Sequence, residues 1–245
     1  WGKKHLIIRR NKFKNLFNFD DLSNYLNRYP HIKSLQMLNY DGKDTRWCLD
    51  KVRNGKLKLP MMNKDEVYKL WKEGKSLVIP FAEYEKKELV DICFELERYF
   101  GHGQANVYAS PKAGSKSFPA HADATENFLF HTEGKVKWTI YKEYTPDKAK
   151  QVLEEFTLEA GDLLYIPSYQ YHKVETVGPR ILISVHFNNK KNQTLDNFKI
   201  TSHKQNNRSK WYKWSPFTKV TKKINIGYPK MKSATWKKPY FNNLK

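Results

Sequence analysis

Cysteine is nearly missing from this chain: two residues, Cys48 and Cys93, in 245. Neither sits in a CxxC or beside a histidine at metal spacing, which excludes a disulfide framework and a thiolate zinc site and fits reduced thiols. Long apolar runs are missing too. No stretch approaches the roughly 18 uncharged apolar residues of a spanning helix, and the first residues carry no charged-then-apolar leader pattern. A soluble, cytoplasmic protein without a membrane partner is the expectation. Aliphatic content is modest, with 39% hydrophobic residues including 15% aromatic, yet a chain of this length can bury a sizeable core and is not of disordered composition. Acidic residues all but vanish from the last stretch, 190–245, which holds only Asp196 against 15 Lys and Arg.

What is present is therefore an uneven positive charge. The whole chain carries +20, most of it in that tail, where Trp211, Tyr212, Trp214, Phe217, Tyr228, Trp236, Tyr240 and Phe241 are interleaved with lysine. Basic plus aromatic is a composition that tracks a phosphate backbone and stacks on bases. The same residues could instead pin an irregular tail to a domain while the lysines stay solvated, and an acidic protein or ribosomal partner would suit the surface equally.

Three segments divide the chain: an N-terminal extension over 1–62 that packs on the main body, a central domain over 63–189, and the basic aromatic extension over 190–245. A helix is expected from Asp20 to Arg28. "NKDEVYKLWKEG" opens with Asn63 and Glu66 at capping-box spacing, places Val67, Leu70 and Trp71 on one face and stops at Gly74. A strand "SLVIPF" follows. Glu83 to Phe100 reads as an amphipathic helix with Leu89, Ile92, Cys93 and Leu96 on its buried stripe. Beyond Gly103, eight short strand-like runs separated by Gly, Pro or Asp point to a sandwich or small barrel, with a helical insertion expected between Thr145 and Glu155.

Within the β region, "FPAHADATENF" puts His121 and Asp123 two apart, on one face if they share a strand. In a chain with 8 His and 25 acidic residues such a pair means little without a third ligand. "GDLLYIPSYQYH" supplies one: a turn at Gly161 and Asp162, a buried strand, a stop at Pro167, and a short loop returning the chain to His172. Two imidazoles and one carboxylate can occupy one face of an octahedral metal and leave the other positions open, as in non-haem Fe(II) oxygenases.

HxD, "EGKVKW" and "GDLLYIPSYQYH" in that order, with "NVYASP" upstream, resemble the JmjC-type, cupin-fold Fe(II)/2-oxoglutarate oxygenases, and most of all the ribosomal-oxygenase branch of protein hydroxylases. The resemblance covers roughly Asn63 to Phe187. It implies a mainly β fold with flanking helices, a double-stranded β-helix (cupin or jelly-roll) barrel, in which His121, Asp123 and His172 bind Fe(II). Oxidative decarboxylation of 2-oxoglutarate by O2 would drive hydroxylation of a protein side chain, of a ribosomal or nucleic-acid-associated protein.

One position departs from the pattern. The JmjC-type lysine or arginine that receives the distal carboxylate of 2-oxoglutarate stands two residues before the Trp of that strand, and here it is Val136. Lys135 and Lys137 flank it and point to the opposite face of a regular strand; Lys137 could serve only through a bulge. Arg180, eight residues after His172, resembles the arginine that other members of the superfamily use, and shares strand parity with Leu182, Ser184 and His186. Related enzymes also use hydroxyls where Tyr108 and Ser110 stand, and Asn127 could hydrogen-bond near the metal. His131 and His186 read as core or surface histidines. Two other functions fit: hydroxylation of an RNA or DNA base served by the tail, or a non-enzymatic metal-binding cupin with a nucleic-acid-binding tail.

Overall fold

The computed structural model describes residues 2–9, 13–28, 36–38, 45–46, 49–54, 57–100, 103–145 and 148–188. Cys48 and the whole basic extension 190–245 lie outside the described residues, while Cys93 is a buried free thiol.

In chain order the elements are β1 (Leu6–Arg9), α1 (Phe19–Arg28), β2 (Gln36–Leu38), β3 (Thr45–Arg46), β4 (Leu49–Asn54), β5 (Leu57–Met62), α2 (Lys64–Glu73), β6 (Leu77–Pro80), a 3-10 turn at Ala82–Tyr84 and α3 (Lys87–Phe100). There follow β7 (Gly103–Ser110), β8 (Thr125–Glu133), β9 (Lys135–Thr145), β10 (Lys148–Glu159), β11 (Asp162–Ile166), β12 (His172–Thr176) and β13 (Arg180–Asn188). Eight strands form one sheet in the order β1-β11-β8-β13-β7-β6-β2-β3, and a second sheet runs β10-β9-β12. The two sheets sandwich a common interior, the double-stranded β-helix architecture, although hydrogen bonding does not close them into a continuous barrel. The remaining pair, β4 and β5, is a separate hairpin.

Strand alternation decides which side chains see that interior. On β13, Ile181, Ile183, Val185 and Phe187 pack outward against the helices, together with Phe128 and Phe130 of β8 and Leu70, Trp71, Leu89 and Cys93 of the helices. Leu182 and Leu129 turn the other way, into a second core with Val136, Trp138, Ile140, Leu158, Leu164, Ile166 and Val174. Each such fully buried side chain contributes about 1.5–3 kcal/mol of transfer free energy. The helix signals are realised: Asn63 Oδ1 accepts from Glu66 N at 3.0 Å, and Gly74, at φ 95, closes α2.

Two expectations need correcting. The segment from Thr145 to Glu155 is no helical insertion. β9 and β10 form one long antiparallel hairpin, with Glu155 opposite Thr139 and Glu159 opposite Lys135. "KAKQVLEE" has helix-forming composition, but cross-strand partners outweigh local preference: Lys137 Nζ lies 3.0 Å from Glu155 and Lys135 Nζ 2.6 Å from Glu159. The second helix starts later than Glu83, whose position falls within the 3-10 turn. Within the N-terminal extension, β1 and β2 add strands to opposite sides of the large sheet.

Candidate metal centre

His121 and Asp123 are not on a common strand. They lie in the loop before β8, where His121 forms a single antiparallel bridge with His172. His121 N donates to His172 O at 3.0 Å and His172 N to His121 O at 2.8 Å, which sets the imidazoles side by side with centroids 4.5 Å apart. A backbone clamp thus does what strand periodicity was expected to do. Asp123 is fastened separately, its carbonyl accepting from Tyr169 N at 2.7 Å. Tyr169 has φ 63, in the left-handed region that non-glycine residues enter at some cost, so this loop holds strain where it meets the site.

The donor chemistry fits a divalent metal. His121 Nδ1 lies 2.8 Å from the Pro119 carbonyl and His172 Nδ1 lies 2.9 Å from the Gln170 carbonyl. A carbonyl only accepts, so both Nδ1 atoms carry the proton and both Nε2 lone pairs are free, the arrangement of metal-bound histidine. Asn127 Nδ2 donates to Asp123 Oδ2 at 2.9 Å, fixing the carboxylate. His121 Nε2 stands 3.8 Å from Asp123 Oδ1 and His172 Nε2 stands 3.9 Å from Asp123 Oδ2, too far for hydrogen bonds. The three groups keep one donor atom each within 4.8 Å of one another, the spacing of ligands around one ion. His172 is buried and its pKa is lowered, first by that burial and then by His121; the neutral ring is the ligating form. His121 and Asp123 are partly exposed, so the site opens to solvent at one end of the interior.

Deeper along the same wall stands Arg180. It pairs with Ser110 across β13 and β7, while Leu182 pairs with Tyr108 and also with His131 of β8. The inward face is therefore layered, Tyr108–Leu182–His131 above Ser110–Arg180. Arg180 is 2% exposed. Its Nε donates to Ser110 Oγ at 3.2 Å, and that hydroxyl is 2.8 Å from Ser76 Oγ. Burial lowers the guanidinium pKa to about 10, which still leaves it charged at neutral pH. No carboxylate among the described residues pairs with it, and Nη1 is buried without a partner. A buried cation lacking its anion is expensive, and this one is shaped for a bidentate carboxylate.

Tyr108 lies between the two ends. Its phenol pKa is raised chiefly by burial, and it feels both the negative charge of Asp123 and the positive charge of Arg180. Its ring meets Phe118 edge-on at 6.3 Å, and Phe118 meets His121 at 5.7 Å. Val136, 1% exposed, fills the interior where a cation was sought. Lys137 is outside: β9 is regular there, the bulges falling on the far part of the hairpin, and the lysine is bound to Glu155 on the outer face. It does not reach the interior. His186 is partly buried on the inward face opposite Asn127.

Sequence reading missed Pro119, Tyr169 and Gln170, which act through backbone atoms and carry no residue-type signature. It also missed the His131–Trp138 pair, whose only signal is that both residues have inward parity.

A β-sandwich interior with two histidines and a carboxylate at its mouth and a buried guanidinium deeper within can take a divalent metal beside a ligand that carries a carboxylate. Residues 76–195, just under half of the chain, match the JmjC domain. Among curated relatives, the chain is 31% identical over 206 residues to the bifunctional lysine-specific demethylase and histidyl-hydroxylase NO66 of Dictyostelium discoideum, covering 76% of this chain and 38% of that protein. It is 32% identical over 200 residues to ribosomal oxygenase 2 of Rattus norvegicus, covering 72% of this chain and 40% of the relative. The chain thus spans well under half the length of these relatives. In fold it is similar to YcfD, a ribosomal oxygenase from Escherichia coli, solved with cobalt and 2-oxoglutarate, with TM-score 0.56, 15% identity, and coverage of 94% of this chain and 59% of that one.

Proposed function

We propose that the chain is an Fe(II)- and 2-oxoglutarate-dependent hydroxylase of a protein side chain, acting on a ribosomal or nucleic-acid-associated protein. The observation that carries this reading is the pairing of two free Nε2 lone pairs and an oriented carboxylate with an anion-deficient guanidinium deeper in the same interior. His121, Asp123 and His172 would hold Fe(II), and Arg180 would receive the distal carboxylate of 2-oxoglutarate. Metal and cosubstrate together supply the activation of O2, with decarboxylation to succinate.

The chain's own residues do the rest. The Pro119 and Gln170 carbonyls hold the imidazoles in the ligating tautomer, Asn127 orients Asp123, and Ser110 fixes the plane of Arg180. Tyr108 and the apolar layer of Leu129, Trp138, Val174 and Leu182 keep the passage between the two ends dry, where charge pairing is strongest. The relatives' names support a protein substrate, NO66 being a histidyl-hydroxylase and ribosomal oxygenase 2 a ribosomal oxygenase. The buried arginine weighs against a purely structural cupin, because an unpaired internal cation has no use in such a barrel.

Anaerobic titration of the protein with Fe(II) and then 2-oxoglutarate tests the reading, the expected signal being the weak visible band of the chelate. Incubation with ribosomal proteins in air should then give a product heavier by one oxygen atom, with matching succinate. Succinate formation coupled only to an oligonucleotide would favour the base-hydroxylating alternative instead. For the basic extension, retention on RNA should fall with salt at a slope of about −0.7 per neutralised phosphate in log K against log salt; salt-independent behaviour would leave an acidic protein as its partner.

A further inference from the structure

Two side-chain atoms among the described residues are buried without a hydrogen-bond partner: Arg180 Nη1 and His131 Nδ1. They belong to adjacent layers of one wall, since His131 lies opposite Leu182 and Arg180 is the next inward residue of β13. Diagonal neighbours on a sheet face are within reach of long side chains.

The protonation state of His131 follows from a single contact. Trp138 Nε1 lies 2.9 Å from His131 Nε2. An indole nitrogen can only donate, so Nε2 must accept, and in the neutral ring the proton sits on Nδ1. The ring is neutral: it is 2% exposed, and burial first, then Arg180, lowers its pKa to about 3. The carbonyls of Asp162 and Leu129 lie near the ring, but none meets hydrogen-bond geometry with Nδ1. The wall therefore offers one charged and one neutral N–H with nothing to receive them. Buried donors are costly to leave unmade, and the ligand that satisfies both without adding positive charge is a carboxylate.

We infer that His131 is a second donor of the distal anion subsite, its Nδ1–H, held in that tautomer by Trp138, binding the same carboxylate as Arg180. This rests on the proposed function and adds to it a specificity device. The same indole packs on His172, with ring centroids 5.9 Å apart, so one side chain braces both the metal end and the anion end.

The test uses the full chain loaded with Fe(II) under anaerobic conditions, titrated calorimetrically with 2-oxoglutarate and with pyruvate, a 2-oxo acid lacking the distal carboxylate. His131→Leu should bind 2-oxoglutarate about 10- to 100-fold more weakly and pyruvate as the unaltered protein does. His131→Asn, whose amide nitrogen can occupy the place of Nδ1, should recover most of the loss. In the unaltered chain, the His131 Nδ1–H resonance should move on adding 2-oxoglutarate and stay put with pyruvate. Equal binding of 2-oxoglutarate by His131→Leu, equal loss of both ligands, or an unmoved resonance would overturn the inference while leaving the functional reading intact. A protein that binds metal but no 2-oxoglutarate would overturn both. If His131→Leu does not fold, the resonance decides.

Discussion

His121 and His172 are joined by a reciprocal pair of backbone hydrogen bonds of 3.0 and 2.8 Å, so the two imidazoles are positioned by each other's main chain. Replacing either imidazole, or Asp123, leaves that clamp untouched. His121→Ala, Asp123→Ala and His172→Ala should each abolish Fe(II) binding and succinate production with little change in circular dichroism or melting temperature. An Asp123→Ala protein that still binds metal at full affinity would refute the three-ligand assignment.

Asn127 holds Asp123 through one hydrogen bond of 2.9 Å. Supporting residues of this kind change metal affinity by about 10- to 100-fold when removed. Asn127→Ala should show a loss in that range by calorimetry, and Asn127→Asp a larger one, since a second carboxylate would repel the ligand it now orients.

Arg180→Met should act in opposite directions on stability and on binding. Without ligand the variant should melt no lower than the parent, because it removes an unpaired buried charge. Its affinity for 2-oxoglutarate should fall by about 3–5 kcal/mol. Lys135→Met and Lys137→Met, which lose only exposed pairs on the outer face, should leave that affinity unchanged; the reverse ranking would return the cosubstrate to β9.

Gly134, at the turn between β8 and β9, has φ +74, and a Cβ there would meet the Pro179 carbonyl oxygen at 1.9 Å. Gly134→Ala must push Pro179 and with it Arg180. Both the left-handed conformation and the collision oppose it, so the melting temperature should drop by about 5 °C or more. Weakened 2-oxoglutarate binding should accompany the drop.

The acid limb of stability should carry the mark of His131. The unfolded ring takes up its proton near pH 6.5, the folded one only near 3. Between those values the unfolded chain binds more protons, so stability is complete above about pH 6.5 and falls as pH drops toward 3, by at most about 1.4 kcal/mol per pH unit from this group. Denaturant titrations across that window should show a shallower slope for His131→Leu; an identical slope would mean the ring is protonated in the folded protein.

That His121, Asp123 and His172 converge could be read in the sequence because metal chemistry demands particular residue types, and HxD followed by a histidine after a Gly-Asp turn meets that demand. Arg180 could be placed inside by counting strand parity from Leu182, and Val136 and Lys137 sorted to opposite faces on the same rule. What could not be read was whatever rests on main-chain atoms or distant partners. The Pro119 and Gln170 carbonyls that fix the tautomers bear no mark of their role. Lys148–Glu159 looked helical because its residues favour helix, and its pairing along β9, with Leu158 buried in the inner core, makes it a strand.

β1 has a consequence outside the active centre. It pairs with β11 from Leu6 opposite Tyr165 to Arg9 opposite Asp162, and Arg9 also reaches the Thr157 carbonyl of β10 at 3.3 Å. Those few residues cover a strand edge that would otherwise offer free N–H and C=O groups to any neighbouring chain. Proteolytic trimming ahead of Phe13 would uncover it. The expected outcome is a sticky protein rather than an inactive one, with self-association growing with concentration while metal binding persists.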